Sequence, residues 1–432
     1  MNQYINKILI LLSTTLVVSA CTIGSDNINK QEISGSGIDQ VNISSTFSCI
    51  LHNNKPSCWG NNSKGSLGNG STTSSFSPQQ VINLKNINKI IVAGYSVFAM
   101  DINNHIYGWG GIIADPNKEE NIAEKTELTL TPKRLTIQEY LNEEESITDI
   151  ATTTGNNRYN SQYLLTSSGQ ILSYGDNSRG QLGQDSVGDI GISYPINTVV
   201  SNQKYSQLAH GSEGYSQCAI TDDKQQVDCW GDNSNHQISE QGTIMITKPT
   251  KMKMPVQESI KTVSIAPDHI CILTYVGNIY CQGGNKDGQV GINSKDSIVP
   301  QLTKVAVENG IKFVDLETSD SSTIATTDTT TGTDIYAWGQ TYGPESSGTN
   351  FLKPTKIDVN NKMNQFKDTD TVKQYKATIY SASDNNDNKV SILLYQKSSN
   401  NITIQGDNEG GKLGTGNEED VKKPQTIKLN IS

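Results

Sequence analysis

The sequence has few of the patterns that mark a catalytic, metal-binding or nucleic-acid-binding protein. Its five histidines are scattered, and no Gly-x-Ser-x-Gly, His-Glu-x-x-His or Cys-x-x-Cys motif occurs. Basic tracts do not exceed two residues, and 44 acidic residues against 34 basic ones give a net charge of −10. A surface of this sign repels phosphate backbones. We therefore expect no catalytic motif, no cofactor, no metal and no nucleic-acid partner.

Helix-forming residues and long apolar runs are also scarce, apart from one apolar stretch near the N-terminus. The remaining apolar runs are short and bounded by turn residues, for example at 90–93, 163–166 and 271–274. Such runs, spaced regularly among Ser, Thr, Asn and Gly, are typical of strands in a sandwich, barrel or propeller. The composition therefore predicts an all-β fold.

What the sequence does contain is a repeat. Every tryptophan is followed directly by glycine, and three further aromatic or glutamine residues precede glycine in the same way. The seven sites are Trp59, Trp109, Tyr174, Trp230, Gln282, Trp338 and Gln405. They recur at intervals of roughly 50 to 70 residues, which is the signature of one supersecondary unit copied seven times.

A glycine-punctuated loop follows each of the best-preserved sites. The pattern G-x-N-x-x-G-x-[LV]-G occurs at 60–68, 175–183, 283–291 and 406–414. Glycines at this spacing allow positive φ or close backbone approach, and the apolar residue can pin the loop to the core. A phosphate-binding interpretation is disfavoured, because no helical pattern and no Lys-[Ser/Thr] pair follows.

The unit W-G-x-N-x-x-G-x-L-G, preceded by a hairpin and followed by a Pro-x-x-strand, resembles the repeat of the RCC1 family. The resemblance extends from Ile38 to the C-terminus and is eroded after Gly110, Gly231 and Gly339. It implies a seven-bladed RCC1-like β-propeller over residues 38–432. The eukaryotic namesake binds nucleosomes and acts on a small GTPase. We expect neither small GTPase nor chromatin as a partner, because this chain is acidic and carries export features.

The ends of the repeat array suggest how the ring closes. The last candidate strand, at 424–431, has no hairpin after it, and the first hairpin lacks a preceding Pro-x-x-strand. The sequence therefore predicts that the C-terminal strand completes the first blade and leaves no free sheet edges there.

The N-terminus predicts export and lipidation. Residues 1–20 combine Lys7 with an apolar stretch that is about half the length of a membrane-spanning helix. They end in Val-Ser-Ala before Cys21, which resembles the bacterial lipobox, so Cys21 is the expected lipidation site. The alternative is an ordinary secretory signal with a stray cysteine. Residues 21–37 would form the lipidated end and a flexible tether, and Thr22 favours the outer membrane.

Cysteine spacing predicts three disulfides. The six remaining cysteines fall in three blades as Cys49 with Cys58, Cys218 with Cys229, and Cys271 with Cys281. Two pairs are symmetric about candidate two-residue turns, at 53–54 and 223–224, and the third is centred on Val276 beside Gly277, so the members of each pair should face each other across a hairpin. Repeats without cysteine lack both members of the pair, as a bond requires. A zinc site is disfavoured by the spacing.

Loops on a rigid ring are where a propeller would carry specificity. Two insertions, 112–131 and 350–376, stretch the repeat, with Tyr140, Phe351, Phe366 and Tyr375 as their candidate apolar contacts. His269 is expected to hydrogen-bond within its blade. The leading hypothesis is a non-enzymatic module that binds an envelope or host protein.

Two other functions stay open at this point. One is a polysaccharide hydrolase or lyase of the envelope, which would need converging carboxylates of raised pKa at the mouth of the central channel. The other is an inhibitor of a secreted enzyme, which aromatic side chains clustered on one face of the ring would favour.

Overall fold

The computed structural model describes residues 37–431 with short gaps at 112, 126, 156–158, 212–213, 241, 330–331, 343–347, 358–374, 385–386, 397–398 and 430. In this part of the chain the strands form seven antiparallel sheets, the blades of a β-propeller. The signal peptide, Cys21 and all of the tether except Gly37 lie outside it. None of the described helices is long and apolar enough to cross a membrane.

Each blade contains at least four strands, ordered from the innermost strand outwards. Blades 1 to 3 contain β1 (Ile38–Ile43), β2 (Phe47–His52), β3 (Lys55–Gly60) and β4 (Ser75–Gln80); β5 (Ile87–Ala93), β6 (Ser96–Asp101), β7 (Ile106–Trp109) and β9 (Lys133–Arg134); and β10 (Ile147–Gly155), β11 (Tyr159–Thr166), β12 (Ile171–Asp176), β13 (Ile192–Thr198) and β8 (Glu120–Asn121).

The remaining blades follow the same order. Blades 4 to 7 contain β14 (Tyr205–Leu208), β15 (Ser216–Thr221), β16 (Val227–Asp232) and β17 (Met245–Lys251); β18 (Ile260–Ile265), β19 (His269–Thr274), β20 (Ile279–Gly284) and β21 (Ile298–Lys304); β22 (Asp315–Ser319), β23 (Ser322–Thr329), β24 (Gly332–Tyr342) and β25 (Gly348–Lys356); and β26 (Tyr375–Asp384), β27 (Asp387–Gln396), β28 (Asn401–Gly406) and β29 (Val421–Lys428). Two short 3₁₀ helices lie at Gln138–Tyr140 and Glu409–Gly411.

The up-and-down order of the strands gives the ring two different faces. One, which we call the glycine-loop face, carries the turns between the first and second strands and the long loops between the third and fourth, such as 61–74. The other, the hairpin face, carries the tight turns between the second and third strands, such as 53–54, and the connections from one blade to the next. Residues of distant repeats therefore meet on a common face of the ring.

The prediction that the C-terminal strand completes the first blade is wrong. The last strand, β29, pairs with β28 in blade 7, and blade 1 begins with its own inner strand, β1. The Pro-x-x-strand is the outer strand of the blade whose hairpin precedes it, so every blade holds a contiguous stretch of chain. When each repeat is taken to begin with an inner strand and end with the Pro-x-x-strand, Ile38–Ile43 is the inner strand of the first repeat.

Apolar side chains between adjacent blades form the core. One cluster joins Cys58 and Leu67 of blade 1 to Ile90 and Trp109 of blade 2, and similar clusters join the other neighbours. A further cluster joins blade 1 to blade 7. The ring is therefore closed by side-chain packing and hydrogen bonds at that boundary, without exchange of a strand.

The six cysteines are joined in the three pairs that the hairpin spacing predicts, Cys49–Cys58, Cys218–Cys229 and Cys271–Cys281. In each pair the Cα atoms lie 4.1 Å apart across directly paired strand positions. All six side chains are fully buried. Three such bonds indicate an extracytoplasmic protein.

Removing one disulfide tests its share of the stability. The double change Cys271→Ala and Cys281→Ala should lower the free energy of unfolding by about 2–3 kcal/mol, because the unfolded chain gains freedom. Urea unfolding of this variant beside the natural chain measures the difference. Dithiothreitol without denaturant is the control, and it should change nothing because the sulfur atoms are buried. Identical unfolding curves for the two chains would contradict the expectation.

The first insertion, 112–131, is built into the fold. Its strand β8 pairs with β13, so a segment that leaves blade 2 covers the outer edge of blade 3. Burial raises the pKa of Glu120, but hydrogen bonds from Lys125 and Lys118 outweigh this effect and lower the pKa to about 2. These ion pairs lie within the insertion, and the backbone pairing of β8 with β13 holds it against the sheet edge, which is thereby unavailable to another strand.

The apolar residues expected to reach from the insertions to a partner pack inward where they are described. Tyr140 lies against the core between blades 2 and 3, and Phe351 lies against the core between blades 5 and 6. Large aromatic side chains next to an apolar core are expected to pack against it and not to remain in solvent. Phe366 and the side chain of Tyr375 lie outside the described residues, as does most of the insertion at 350–376.

Candidate functional site

The glycine loops are fixed from within by an asparagine at the same position in each well-preserved copy. The side-chain oxygen of Asn177 accepts a hydrogen bond from the Leu182 amide at 3.0 Å, and its amide group donates to the Ser186 carbonyl at 3.1 Å. Equivalent bonds are made by Asn62, Asn233, Asn285 and Asn408. All five side chains are buried. The recurring spacing of the repeat thus serves loop structure.

A second hydrogen-bonded pair, of a glutamine with a carboxylate, lies under three of these loops. Gln181 donates to Asp176 at 2.8 Å, and Gln237 donates to Asp232 at 3.1 Å. In blade 5 a glycine occupies the position of the carboxylate, and Gln289 donates to Asp268 instead at 2.9 Å. The carboxylates of these loops are hydrogen-bonded structural groups, which argues against catalytic work at these positions.

Blade 7 replaces this glutamine by Lys412, at the boundary where the ring closes. The ammonium group of Lys412 forms an ion pair with Asp407 and donates to the Ser45 carbonyl of blade 1 at 2.8 Å. The Lys412 carbonyl accepts from the Trp59 indole at 2.9 Å and from the Ser48 hydroxyl at 2.7 Å. The side chain is fully buried, and burial lowers its pKa below the ordinary value. We call these contacts, centred on Lys412, the seam.

His269 has the hydrogen-bond arrangement of a catalytic triad but is enclosed. Its Nδ1 lies 2.9 Å from Asp268, and its Nε2 lies 3.0 Å from the Thr323 hydroxyl. Neither His269 nor Thr323 has any exposed surface, and the hydroxyl also donates to the Gln289 carbonyl at 2.9 Å. A substrate has no access to this hydroxyl, so the arrangement ties blade 5 to blade 6.

Polar residues line the central channel. The inner strands of the seven blades place Gln40, Lys89, Asp149, Gln207, Thr262, Asp315 and Lys376 at matching positions. Several of them bond across a blade boundary: Lys89 pairs with Asp149, and Lys376 lies 3.8 Å from Asp315. The charges of the channel are therefore largely matched between neighbours.

Glu317 is the channel carboxylate with the most altered chemistry. It lies two residues after Asp315 on the inner strand of blade 6, and burial raises its pKa to about 7. Its Oε2 is buried without a partner. A raised pKa in the channel is one of the two features that an enzyme would require. The other, a second carboxylate free to act with it, is not met by Asp315, which is paired with Lys376.

The loops of the two faces differ in charge. On the glycine-loop face the exposed acidic residues are Glu119, Glu124, Glu127, Asp185, Asp189, Glu240, Asp296, Glu409, Glu418, Glu419 and Asp420, and the exposed basic residues are Lys64, Lys118, Lys286 and Lys295. On the hairpin face Glu139, Glu143, Glu144, Asp222, Asp223 and Glu308 are nearly matched by Lys85, Lys204, Lys224, Lys253 and Lys312. The negative charge of the ring is thus concentrated on its glycine-loop face.

A cavity of about 450 Å³ opens on the glycine-loop face beside the seam. Its lining includes Asp407, Glu409, Glu418 and Asp420, with Lys389 at one side. No group of three or more His, Cys, Asp or Glu in the described part of the chain is arranged to hold a metal ion. The cavity is therefore an acidic depression on the more acidic of the two faces.

The sequence identified the loop glycines, the disulfides and the structural role of His269, and missed the features that distinguish the faces. Lys412 was readable as the one lysine at a position that three other blades fill with glutamine. The difference in charge between the two faces could be predicted only once each loop was assigned to a face. Acidic residues from distant copies of the repeat come together on the glycine-loop face of the ring. Glu317 carries no sequence signal beyond its inner-strand position.

Comparison with known proteins gives the same repeat. Residues 58–100 match the regulator of chromosome condensation (RCC1) repeat. The ultraviolet-B receptor UVR8 of Arabidopsis thaliana is 25% identical over 265 residues, which cover 61% of this chain and 56% of the receptor. The human regulator of chromosome condensation is 32% identical over 132 residues, 29% of this chain and 30% of that protein. The chain thus spans about half, or less, of these relatives.

Solved structures agree on the architecture. Human WBSCR16 superposes with a TM-score of 0.70 at 16% identity, covering 87% of this chain and 94% of that one. Prp20p of Saccharomyces cerevisiae superposes with a TM-score of 0.66 at 18% identity, covering 87% and 86%. At this level of identity the likeness concerns the fold alone.

Proposed function

We propose that this chain, which belongs to the RCC1 repeat family, is an exported, lipid-anchored scaffold that binds a protein with a basic surface through its glycine-loop face. One observation carries the proposal: the exposed loops of that face are strongly acidic, whereas those of the hairpin face are nearly balanced. A single-signed field over one face attracts partners of opposite charge and orients their approach. A rigid ring with internally bonded loops is preorganised for such a contact.

The cellular setting of the proposal rests on two supports. Three buried disulfides belong to an oxidising compartment. The N-terminal sequence has the form of a lipobox, with Cys21 as the residue to be acylated. Two or three acyl chains would anchor the protein stably, and a tether of this length would reach about 20–25 Å. We place the protein on the outer membrane of a bacterial envelope.

A matched pair of charge reversals tests the binding face. Asp189→Lys, Glu418→Lys and Glu419→Lys change three exposed side chains on the glycine-loop face, and Glu139→Lys, Glu143→Lys and Glu144→Lys make the same change in charge on the hairpin face. We expect the first set to lower capture of a partner about tenfold or more, because several attractive charges become repulsive, and the second to leave it unchanged.

The measurement is crosslinking in cells followed by membrane fractionation and mass spectrometry. A Cys21→Ala variant is run in parallel, and it should lose both membrane fractionation and the envelope partner if Cys21 carries the anchor. Capture should also weaken as salt is raised, because exposed charges are screened. A partner lost equally in both reversal sets would overturn the choice of face, and capture of no protein at all would overturn the proposed function.

The raised pKa of Glu317 keeps a second candidate function testable, that of an envelope polysaccharide hydrolase or lyase. If Glu317 were a general acid, Glu317→Gln would abolish release of reducing sugar from envelope glycan and leave protein capture unchanged. The inhibitor alternative gains no support from the described residues. Among the large hydrophobic side chains more than a third exposed, Tyr275 alone is aromatic.

A further inference from the structure

On the hairpin face, three exposed apolar side chains lie in the turn and the connection of blade 5. Tyr275 and Val276 form the turn between β19 and β20 and are 55% and 51% exposed. Val256, in the connection that leads into blade 5, is 42% exposed. Two adjacent apolar side chains at the tip of a turn are available for contact with another apolar surface.

Hydrogen bonds hold these tips and their neighbouring lysines in one unit. The Lys224 ammonium donates to the Tyr275 hydroxyl at 3.0 Å and lies 5.3 Å from the centre of its ring. The Tyr275 amide donates to the Ser259 carbonyl at 2.9 Å, three residues after Val256. Lys204 is joined to the same hairpin as Lys224, because its carbonyl accepts from the Asp222 amide at 2.9 Å.

A cavity of about 400 Å³ opens next to these tips. It is lined by Gly277 and Asn278 on one side and by the connection from Lys304 to Phe313 on the other. Val307 and Ile311 of that connection are only partly buried, and the Lys312 ammonium donates to Asn278 at 3.3 Å. Together with Val256, Tyr275, Val276, Lys204 and Lys224, this region forms what we call the hairpin patch.

Both ends of the described ring lie at this same face. The inner strand β1 starts there, where the Ile38 amide donates to the Ser399 carbonyl at 3.3 Å. The outer strand β29 ends there, where the Leu429 amide donates to the Asn400 carbonyl at 2.9 Å. The tether that leads back to Cys21 therefore joins the ring on the hairpin face.

We propose that the hairpin patch rests on the surface of the phospholipid bilayer. This inference rests on the proposed anchoring at Cys21, because the chain that leads from Cys21 enters the ring at this face. An amphipathic tyrosine beside lysines with long apolar stems suits the interface between head groups and acyl chains. The exposed Asp222, Asp223 and Glu308 offset the charge of these lysines, so the apolar tips and not a net positive charge would carry the binding. The acidic glycine-loop face is repelled by anionic head groups and would point away, towards a partner.

Vesicle binding without the lipid anchor tests this directly. The mature chain is prepared with Cys21→Ser, so that no acyl group contributes, and is sedimented with vesicles of phosphatidylethanolamine and phosphatidylglycerol. We expect the otherwise unchanged ring to sediment with the vesicles. The double change Tyr275→Ser and Val276→Ser should weaken vesicle binding about tenfold, since two half-exposed apolar side chains are lost. Val187→Ser with Ile190→Ser is the matched control on the glycine-loop face, where both residues are exposed.

Three results would overturn the proposal. They are no sedimentation of the unchanged ring, an equal loss in the control variant, and crosslinking of a protein through Tyr275 in place of vesicle binding. Unaltered thermal unfolding of each variant shows that the ring is intact. Because the vesicles contain no protein partner and the chain no acyl group, this experiment can fail while capture through the glycine-loop face succeeds, and the reverse.

Discussion

Replacing Lys412 by methionine should lower the free energy of unfolding by about 3–5 kcal/mol, because it leaves Asp407 buried without its counter-ion. The same change removes the hydrogen bond to the Ser45 carbonyl of blade 1 and the contact with Tyr380, whose ring centre lies 5.5 Å from the ammonium nitrogen. The bond to Ser45 belongs to the seam, and the contact with Tyr380 lies within blade 7. Urea unfolding followed by tryptophan fluorescence measures the loss, since Trp59 sits in that boundary.

Lys412→Gln is the matched control, because glutamine occupies this position in other blades of the same protein. Gln181 and Gln237 occupy the same loop position and donate to the equivalent carboxylates, Asp176 and Asp232. Glutamine also carries no charge whose burial is unfavourable. We expect its stability to lie within about 1 kcal/mol of the natural chain. If methionine were tolerated as well as glutamine, the ion pair would have no part in closing the ring.

Replacing Gly291 by alanine should lower the free energy of unfolding by about 2–4 kcal/mol. This glycine ends the loop of blade 5 with φ +76°, and a Cβ there would lie 2.6 Å from Nε1 of Trp338 in blade 6. The indole is fully buried and has no room to withdraw. Gly68, Gly183 and Gly414 meet the tryptophan of the following blade in the same way. Gly291→Ala therefore tests the contact that stacks one repeat on the next.

Gly310→Ala separates this contact from backbone strain. Gly310 also has a positive φ, +94°, but a Cβ there would meet nothing within 4 Å. Replacing it by alanine should lower the free energy of unfolding by only about 1–2 kcal/mol, because a residue with a Cβ is disfavoured in a left-handed backbone conformation. Thermal unfolding of both variants gives the comparison. Equal losses would show that contact with the tryptophan adds nothing to the strain.

Local features were predictable from the sequence because they depend on residues close together in the chain. The hairpin that joins Cys271 to Cys281 and the loop glycines at 283–291 each follow from spacing and turn chemistry. The number of blades followed from the number of repeats. The family resemblance supplied the arrangement in a ring, which no single repeat specifies.

Long-range features were not predictable in the same way. The Pro-x-x-strand can be assigned to the hairpin before it or after it from the sequence alone, and the wrong choice gave the wrong closure of the ring. Only the pairing of β29 with β28 decides it. The burial of Lys412 depends on Ser45 and Trp59, which are more than 350 positions away in the chain. A lysine in a polar loop is otherwise expected in solvent.

The contiguous blades have a mechanical consequence. Six of the seven blade boundaries are spanned by a covalent connection, whereas the boundary between blades 7 and 1 joins the two ends of the described chain without one. A force that separates the chain ends would therefore load Trp59, Lys412 and their apolar neighbours first. If the proposed anchor and a partner pulled the two chain ends apart, that boundary is where tension would open the ring into an arc. The hydrogen bonds of Lys412 to Ser45, Ser48 and Trp59 of blade 1, together with the apolar cluster around them, would then resist the opening.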